Sequence, residues 1–205
     1  MSKYMDDMTK ASDPVGISLS RACYRERTGW FERFTAWRIR RHGIILTELL
    51  DEHLQMGDSR AAVVISVRPL RVAAYTDELD CVAMLRFPRH LVRTHRLKPG
   101  SRLLTVNTYT MEGRGARDLV PGPRTTHRYP DFFPLIAEFY SDDRDKIEAR
   151  KLRIDEEEWD RCWQMGKEYY RRLPNLARDG SPLAASVEGY SMKEKPLWRS
   201  MLGLP

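Results

Sequence analysis

The chain has little cysteine, and its cysteines are poorly placed for pairing or for metal binding. Only three occur among 205 residues, at Cys23, Cys81 and Cys162, and no two of them form a C-x-x-C motif. Three widely separated thiols cannot pair evenly, and this spacing gives neither a zinc knuckle nor a thioredoxin-like motif. We therefore expect reduced cysteines that pack as small apolar residues in a cytosolic protein.

Long apolar runs are also lacking. The longest runs are short, such as residues 61–65, whereas a membrane-spanning helix needs about 20 consecutive apolar residues. The beginning of the sequence contains acidic side chains and no apolar stretch of secretory length. The sequence therefore predicts a cytoplasmic protein with no signal peptide and no contact with a membrane.

Catalytic signatures are absent as well. The sequence contains no G-x-S-x-G, no H-E-x-x-H and no G-x-x-x-x-G-K-[ST] motif. His90 and His95 are five positions apart, which is not the spacing that places two imidazoles on one helix face. His53 follows three acidic residues and could act as a base held by a carboxylate, but a surface histidine without a catalytic role is commoner. We predict no catalytic residue, no metal ligand and no cofactor.

One compact carboxylate cluster lies between two predicted strands and consists of Asp77, Glu78 and Asp80. Carboxylates at strand ends bind Mg²⁺ in some nucleases. An acidic turn between two strands more often faces solvent. We expect a solvent-facing turn here.

The composition is that of a globular protein with a basic surface. Apolar residues make up 41% of the chain and aromatic residues 10%, enough to bury a core and to exclude intrinsic disorder of the whole chain. The formal net charge is +6, and 27 of the 35 cationic residues are arginine. Arginine binds phosphate and carboxylate groups with two donors at once. Codon bias in a GC-rich genome would give the same arginine excess.

Four segments have the residue types and alternation of β-strands. They are residues 61–67, 70–75, 81–87 and 103–110, with turn formers between them. Because these strands follow one another without intervening long helices, we predict an antiparallel β-meander of about four strands.

Helical periodicity flanks the four strands. Apolar residues recur at helical spacing in residues 30–41, 44–56 and from 132 to about 140. A further helix begins at Asp155, which has Glu158 three residues later in capping-box spacing, and ends before Pro174. We predict an α+β fold in which these flanking amphipathic helices cover the small sheet.

Composition and periodicity divide the chain into three parts. Residues 1–17 are polar and aperiodic, and they predict a flexible or loosely docked N-terminal arm. Residues 18–174 form one α+β domain. Residues 175–205 contain several Pro and Gly and predict an extended C-terminal tail.

The segment 21–41 holds most of the net charge. Seven arginines and two glutamates give it +5, and aromatic residues lie between the charges. Such a segment could attract phosphates and stack on bases, as single-strand binding proteins do. In the alternative that we favour, the aromatic rings face the core and the arginines lie over it, paired with acidic residues of 155–158. The candidate binding residues are Arg33, Arg38, Arg40 and Arg41.

The segment 113–130 is long for a connection in a compact domain and contains three glycines. Its cations, together with a flexible backbone, would suit an anionic ligand. A solvated connection is the simpler alternative. The candidate binding residues are Arg114, Arg117, Arg124, His127 and Arg128.

Three functional hypotheses remain, and the first is preferred only because recognisable chemistry is missing. It is a cytosolic binding or assembly module with a protein partner, anchored by Trp198 and the Arg-rich face. The second is nucleic-acid binding through segments 21–41 and 113–130, which would then have to form one stripe. The third is an enzyme for an anionic small molecule, in which His127 and Arg124 or Arg128 converge with Asp118. The oligomeric state is not predicted.

Overall fold

A computed structural model describes residues 13–27, 46–111, 116–180 and 187–188. These residues form an α+β fold around one mixed sheet of seven strands, which confirms the predicted class. The strands are β1 (Asp58–Val67), β2 (Leu70–Thr76), β3 (Cys81–Phe87), β4 (Arg102–Thr110), β5 (Asp131–Ile136), β6 (Ala177–Asp179) and β7 (Val187–Glu188). The helices are α1 (Arg21–Arg27), α2 (Leu46–Met56), α3 (His90–Thr94), α4 (Arg144–Lys151) and α5 (Glu156–Arg172).

The four predicted strands are all present, but the predicted meander is wrong. The strand order is β5-β4-β1-β2-β3-β6-β7, so β4 lies beside β1 and not beside β3. Residues 88–101, which include α3, carry the chain from the end of β3 to the far side of β1, where Ala61 faces Leu104. All pairs among β1 to β5 are antiparallel, whereas β6 runs parallel to β3.

The predicted helix from residue 132 to about 140 is also wrong. Residues 131–136 form β5, and only residues 137–139 are helical, as one 3-10 turn. Phe132 and Ile136 are fully buried on the same face of the strand, and each contributes about 2 kcal/mol of hydrophobic stabilisation. Pro134 is tolerated because β5 is an edge strand that pairs with β4 alone. A short apolar run fits both the helical and the strand period, and tertiary pairing decides between them.

Helix α5 covers one face of the sheet. Gly166 lets the helix approach closely, since a Cβ there would lie 2.6 Å from Ile65 Cδ1 and 2.7 Å from Ala73 Cβ. One turn earlier, the buried Cys162 thiol lies 3.5 Å from the carbonyl oxygen of Ala73. The N-terminal part of α5 lies against charged groups of the sheet, since Glu158 is near Arg60 and Arg161 pairs with Asp80.

The other face is buried because the sheet curls on itself. Small residues line its concave side, with Ala62, Ala74 and Ala83 completely buried. The curl brings β6 against β5, where Arg178 Nη1 donates to the carbonyl oxygen of Phe132 at 2.7 Å. A side chain therefore joins the two sides of the curled sheet.

The predicted end of α2 and the predicted start and end of α5 are confirmed, but the predicted capping of α5 is not. Helix α2 ends at Gly57, where a Cβ would lie 2.5 Å from Val106 Cγ1. Helix α5 begins after Asp155, whose side chain makes no capping hydrogen bond. Glu158 instead accepts a hydrogen bond from the Ala61 N–H at 2.7 Å, so the predicted capping box is wrong. The predicted helix 30–41 lies outside the described residues.

Parts of the predicted arm and tail contact the sheet. Ser59 N–H donates to the carbonyl oxygen of Asp13 at 3.1 Å, and Ile17 is fully buried. In the tail, Leu176 and Ala177 are buried. Most of both segments lies outside the described residues, so the division into arm, domain and tail stays a prediction.

The three cysteines are unpaired. Cys81 and Cys162 are buried, and Cys23 is half-buried. Burial raises the pKa of the Cys81 thiol to about 12, which keeps it protonated at neutral pH. Cys81 and Cys162 thus pack as small apolar residues, as expected from the sequence.

Candidate functional site

The curled sheet has two ends of different chemistry. The turn 77–80 between β2 and β3 lies at one end, together with the start of β1, because Thr76 faces Cys81 in the ladder. The opposite end contains the last residue of β3 and the first residue of β2, because Leu70 faces Phe87. Helix α3 follows β3 at this end. We call them the Asp80 end and the α3 end. A seven-residue strand such as β3 separates them by about 20 Å.

The described part of segment 113–130 is held at the Asp80 end by backbone hydrogen bonds. Gly122 N–H donates to the carbonyl oxygen of Asp80 at 3.1 Å, and Thr126 N–H donates to that of Glu78 at 2.9 Å. A Cβ at Gly122 would collide with Asp80. This part of the loop is therefore packed on the acidic turn as a structural element.

The expectation that the acidic turn faces solvent is wrong for Asp80. This residue is fully buried, and its carboxylate accepts hydrogen bonds from Arg161 Nε at 2.7 Å, from Arg161 Nη2 at 2.6 Å and from the Arg124 N–H at 3.0 Å. Burial alone would raise the pKa of the Asp80 carboxyl, but the hydrogen bonds from Arg161 and Arg124 outweigh it and hold this pKa below its ordinary value. Asp80 is thus an ionised anchor for the loop and for α5.

The candidate cations of this loop contact different partners. Arg124 is exposed and its Nη1 donates to Glu157 Oε1 at 3.1 Å, whereas the Arg128 guanidinium lies 5.4 Å from the centre of the Tyr129 ring. Arg117 and His127 are exposed as well. The described residues do not show these side chains converging on a common site.

The acid that the enzyme hypothesis required is engaged elsewhere. Asp118 is fully buried and accepts hydrogen bonds from Arg178 Nε at 2.7 Å and Nη2 at 3.0 Å. Asp131 accepts from the same guanidinium at 2.8 Å. Asp118 therefore forms part of a structural ion-pair network and does not meet His127, which is exposed.

The remaining sequence candidates lie outside the described residues. They are Arg33, Arg38, Arg40, Arg41, Arg114 and Trp198. Their roles stay predictions.

A second polar cluster surrounds Arg60 at the start of β1. Four carboxylates lie within 4 Å of this guanidinium: Asp58 at 2.8 Å, Asp77 at 2.5 Å, Asp13 at 3.6 Å and Glu158 at 3.8 Å. Burial raises the pKa of Asp58 and of Glu158, against the opposing effect of the Arg60 charge. The cluster joins the arm, the acidic turn and α5 to β1, and every one of its carboxylates has a cationic partner.

His53 is not a poised base. A carbonyl oxygen can only accept, so His53 Nε2 carries the proton that it donates to Val106 O at 2.8 Å. Burial lowers the pKa of His53 to about 4, despite this hydrogen bond. The imidazole is neutral near pH 7 and fastens α2 to β4.

Residues 86–98, which we call the basic segment, carry five Arg and Lys and no Asp or Glu. They begin with the last two residues of β3 and contain α3. The sequence analysis considered His90 and His95 of this segment but overlooked its positive charge. Counting acidic and basic residues in a window of this length would have found this basic run, because it contains no Asp or Glu.

Apolar residues fix the basic segment against the core. Leu91 is almost fully buried, and Leu97 is buried three residues beyond the end of α3. The His95 ring packs on Phe139, with ring centres 4.9 Å apart. Burial, together with the nearby Arg144 charge, lowers the pKa of His95 despite the opposing Glu26 charge, so His95 is neutral near pH 7.

Four of the five cations of the basic segment face outward, and the fifth, Arg86 in β3, is half-buried. Arg89, Arg93, Arg96 and Lys98 are exposed, and within the described part of the chain none of these side chains has an ion-pair or hydrogen-bond partner. This differs from the Asp80 end, where Arg60, Arg161 and Arg178 are each paired with carboxylates. The α3 end thus presents unneutralised positive charge.

Neither a metal centre nor a membrane span is found in the described ranges. No group of three or more His, Cys, Asp or Glu there is arranged to hold a metal ion. No helix in these ranges has the length and apolar character needed to cross a bilayer. Comparison of the chain with protein-family models, with curated proteins and with solved structures finds no match.

Proposed function

We propose that the protein binds the phosphate backbone of a nucleic acid through the basic segment 86–98. The observation that carries this proposal is the set of exposed cations Arg89, Arg93, Arg96 and Lys98, which have no acidic partner in the described residues. Cations that neutralise phosphates release condensed counterions, and this release drives binding. A surface already neutralised by its own carboxylates would gain much less.

The positions of the arginines suit a row of phosphates. Arg89 and Arg93 are four residues apart along α3 and its first flanking residue, a spacing that places side chains on one helix face about 6 Å apart. Arg96 follows three residues after Arg93, beyond the end of α3. Each guanidinium can donate to two phosphate oxygens at once, which an ammonium group cannot do with fixed geometry.

The surface favours a nucleic acid over a protein partner. Protein interfaces have an apolar centre that is depleted of charge. In the basic segment, Leu91 and Leu97 are buried in the fold, and Val92 packs against the same core, so the outward surface is cationic. The protein-partner hypothesis depends on Trp198 and on arginines that lie outside the described residues, and it stays a prediction.

The Arg-rich segment 21–41 begins beside the basic segment. Glu26 of α1 accepts a hydrogen bond from Thr94 Oγ1 of α3 at 2.8 Å. The candidate residues Arg33 to Arg41 follow α1 in the sequence. This contact puts α1, the described start of segment 21–41, beside α3. A shared binding surface of segments 21–41 and 113–130 stays a prediction.

Fluorescence anisotropy with labelled single-stranded and duplex oligonucleotides of about 20 nucleotides tests the proposal. If the four exposed cations contact phosphates, the logarithm of the association constant falls with the logarithm of salt concentration with a slope of about −4 on a duplex. Affinity should then drop by more than about a hundredfold between about 50 and about 200 mM salt. The variant Arg89→Gln/Arg93→Gln/Arg96→Gln should reduce the slope by about 3.

The matched control is Arg117→Gln/Arg124→Gln/Arg128→Gln, which removes the same charge from the Asp80 end. This control should retain most of the affinity. No binding by the wild-type chain at the lower salt concentration would overturn the proposal. Equal losses in both triple variants would also overturn it, because net charge and not the basic segment would then account for binding.

A further inference from the structure

The backbone of Arg96 is unusual for an arginine. Its φ is 51°, in the left-handed region. Among the described residues, the other non-glycine positions with positive φ are Asp80 and His127. Asp and His are several-fold enriched in this conformation, whereas arginine is not.

The conformation follows from the way α3 ends. Leu97 N–H donates to the carbonyl oxygen of Val92 at 2.9 Å, and Arg96 N–H donates to that of Arg93 at 3.3 Å. This pair of hydrogen bonds is the Schellman motif, and Arg96 occupies its left-handed position. Glycine is the usual residue there because it lacks the Cβ that makes the conformation unfavourable.

Nothing in the local packing of the described residues explains an arginine at this position. The Arg96 side chain is exposed and makes no ion pair or hydrogen bond there. Residues held in unfavourable backbone conformations are concentrated at functional sites, where the position of the residue is required.

We propose that the Arg96 guanidinium is a phosphate-binding group, and that its left-handed backbone directs it to the ligand surface formed by Arg89 and Arg93. This inference rests on the proposed nucleic-acid binding. Arg96 thus reduces the stability of the free protein and increases its affinity for the phosphate backbone. A residue with a purely structural role would do the opposite or would change neither property.

Arg96→Gly and Arg96→Asn separate these possibilities, because both residues accept a left-handed backbone. Each variant should raise the Tm, by about 2–4 °C for Arg96→Gly. In the same anisotropy assay with a single-stranded oligonucleotide, affinity should fall by about tenfold, and the salt slope should decrease in magnitude by about 1. Arg96→Lys, which keeps the charge but not the planar fork, should have an intermediate affinity.

His127→Gly is the matched control, because His127 is also exposed and left-handed but lies at the Asp80 end. It should raise the Tm and leave affinity unchanged. Loss of stability in Arg96→Gly would overturn the inference, because the side chain would then serve the end of α3. Unchanged affinity in Arg96→Gly, with a loss in Arg89→Gln/Arg93→Gln, would overturn this inference alone. Retained affinity in all of these variants would overturn the proposed function as well.

Discussion

Asparagine in place of Asp80 removes one buried negative charge and keeps the shape of the side chain. Asp80 has a φ of 49°, a conformation that asparagine also accepts. Its carboxylate receives two hydrogen bonds from Arg161, one from the Arg124 N–H and one from the Tyr75 hydroxyl. In Asp80→Asn the Arg161 guanidinium faces a neutral amide. The NH2 group of that amide replaces an oxygen that accepted hydrogen bonds, so it faces N–H groups to which it cannot bond.

We expect the free energy of unfolding to fall by about 2–4 kcal/mol. Removing one partner of a buried ion pair costs about 3–5 kcal/mol. The Arg161 side chain is 22% exposed, so water recovers part of this loss. For a chain of this size the expected decrease in Tm is roughly 4–16 °C.

Urea unfolding measures this loss, and hydrogen exchange locates it. The Arg124 and Thr126 amides, which donate to the acidic turn, should lose protection in Asp80→Asn. Glu157→Gln is the control, since it breaks the Arg124 ion pair in which both side chains are more than half exposed. That control should change stability by no more than about 0.5 kcal/mol. An Asp80→Asn variant with equally small effects on stability and exchange would refute the anchoring role of Asp80.

Three further substitutions test other parts of the fold. The pKa of His53 in the folded protein is about 4, below its ordinary 6.5. Between these pH values the unfolded chain binds more protons, so the free energy of unfolding should fall as the pH drops from about 6.5 to about 4. His53→Gln should weaken that dependence, as measured by urea midpoints at about pH 7 and about pH 5. Gly166→Ala should lower the free energy of unfolding by about 1–2 kcal/mol through overpacking, whereas Gln164→Ala, on an exposed position of the same helix, should not lower it. Arg178→Met leaves the buried Asp118 unpaired and should lower the free energy of unfolding by about 3 kcal/mol or more; a wild-type melting curve would contradict this.

The parts of the fold that could be predicted from the sequence are those with local causes. Residues 81–87 alternate and are rich in strand formers, and the observed β3 has the same bounds. Gly57 follows α2 directly, and Pro174 lies just beyond α5. The pairing of β4 with β1 could not be predicted, because it depends on where the segment 88–101 crosses the sheet.

The charged sites depend on partners far apart in the chain. The Asp80 carboxylate meets Arg161 eighty-one residues later, and Asp118 meets Arg178 sixty residues later. No local pattern distinguishes such a carboxylate from one in a solvated turn. The charge of the basic segment was readable from composition, whereas the left-handed conformation of Arg96 required the hydrogen bonds that end α3.

The hydrogen bond from Arg178 to the Phe132 carbonyl satisfies a backbone acceptor of β5, which is an edge strand of the sheet. Outermost strands with free backbone groups are templates on which other chains grow, and proteins block them with charged groups or covering segments. Here a guanidinium from β6 occupies the rim of β5. We expect that removal of residues 175–180 would leave this carbonyl without its donor and make β5 more prone to pair with other chains, which a loss of solubility would reveal.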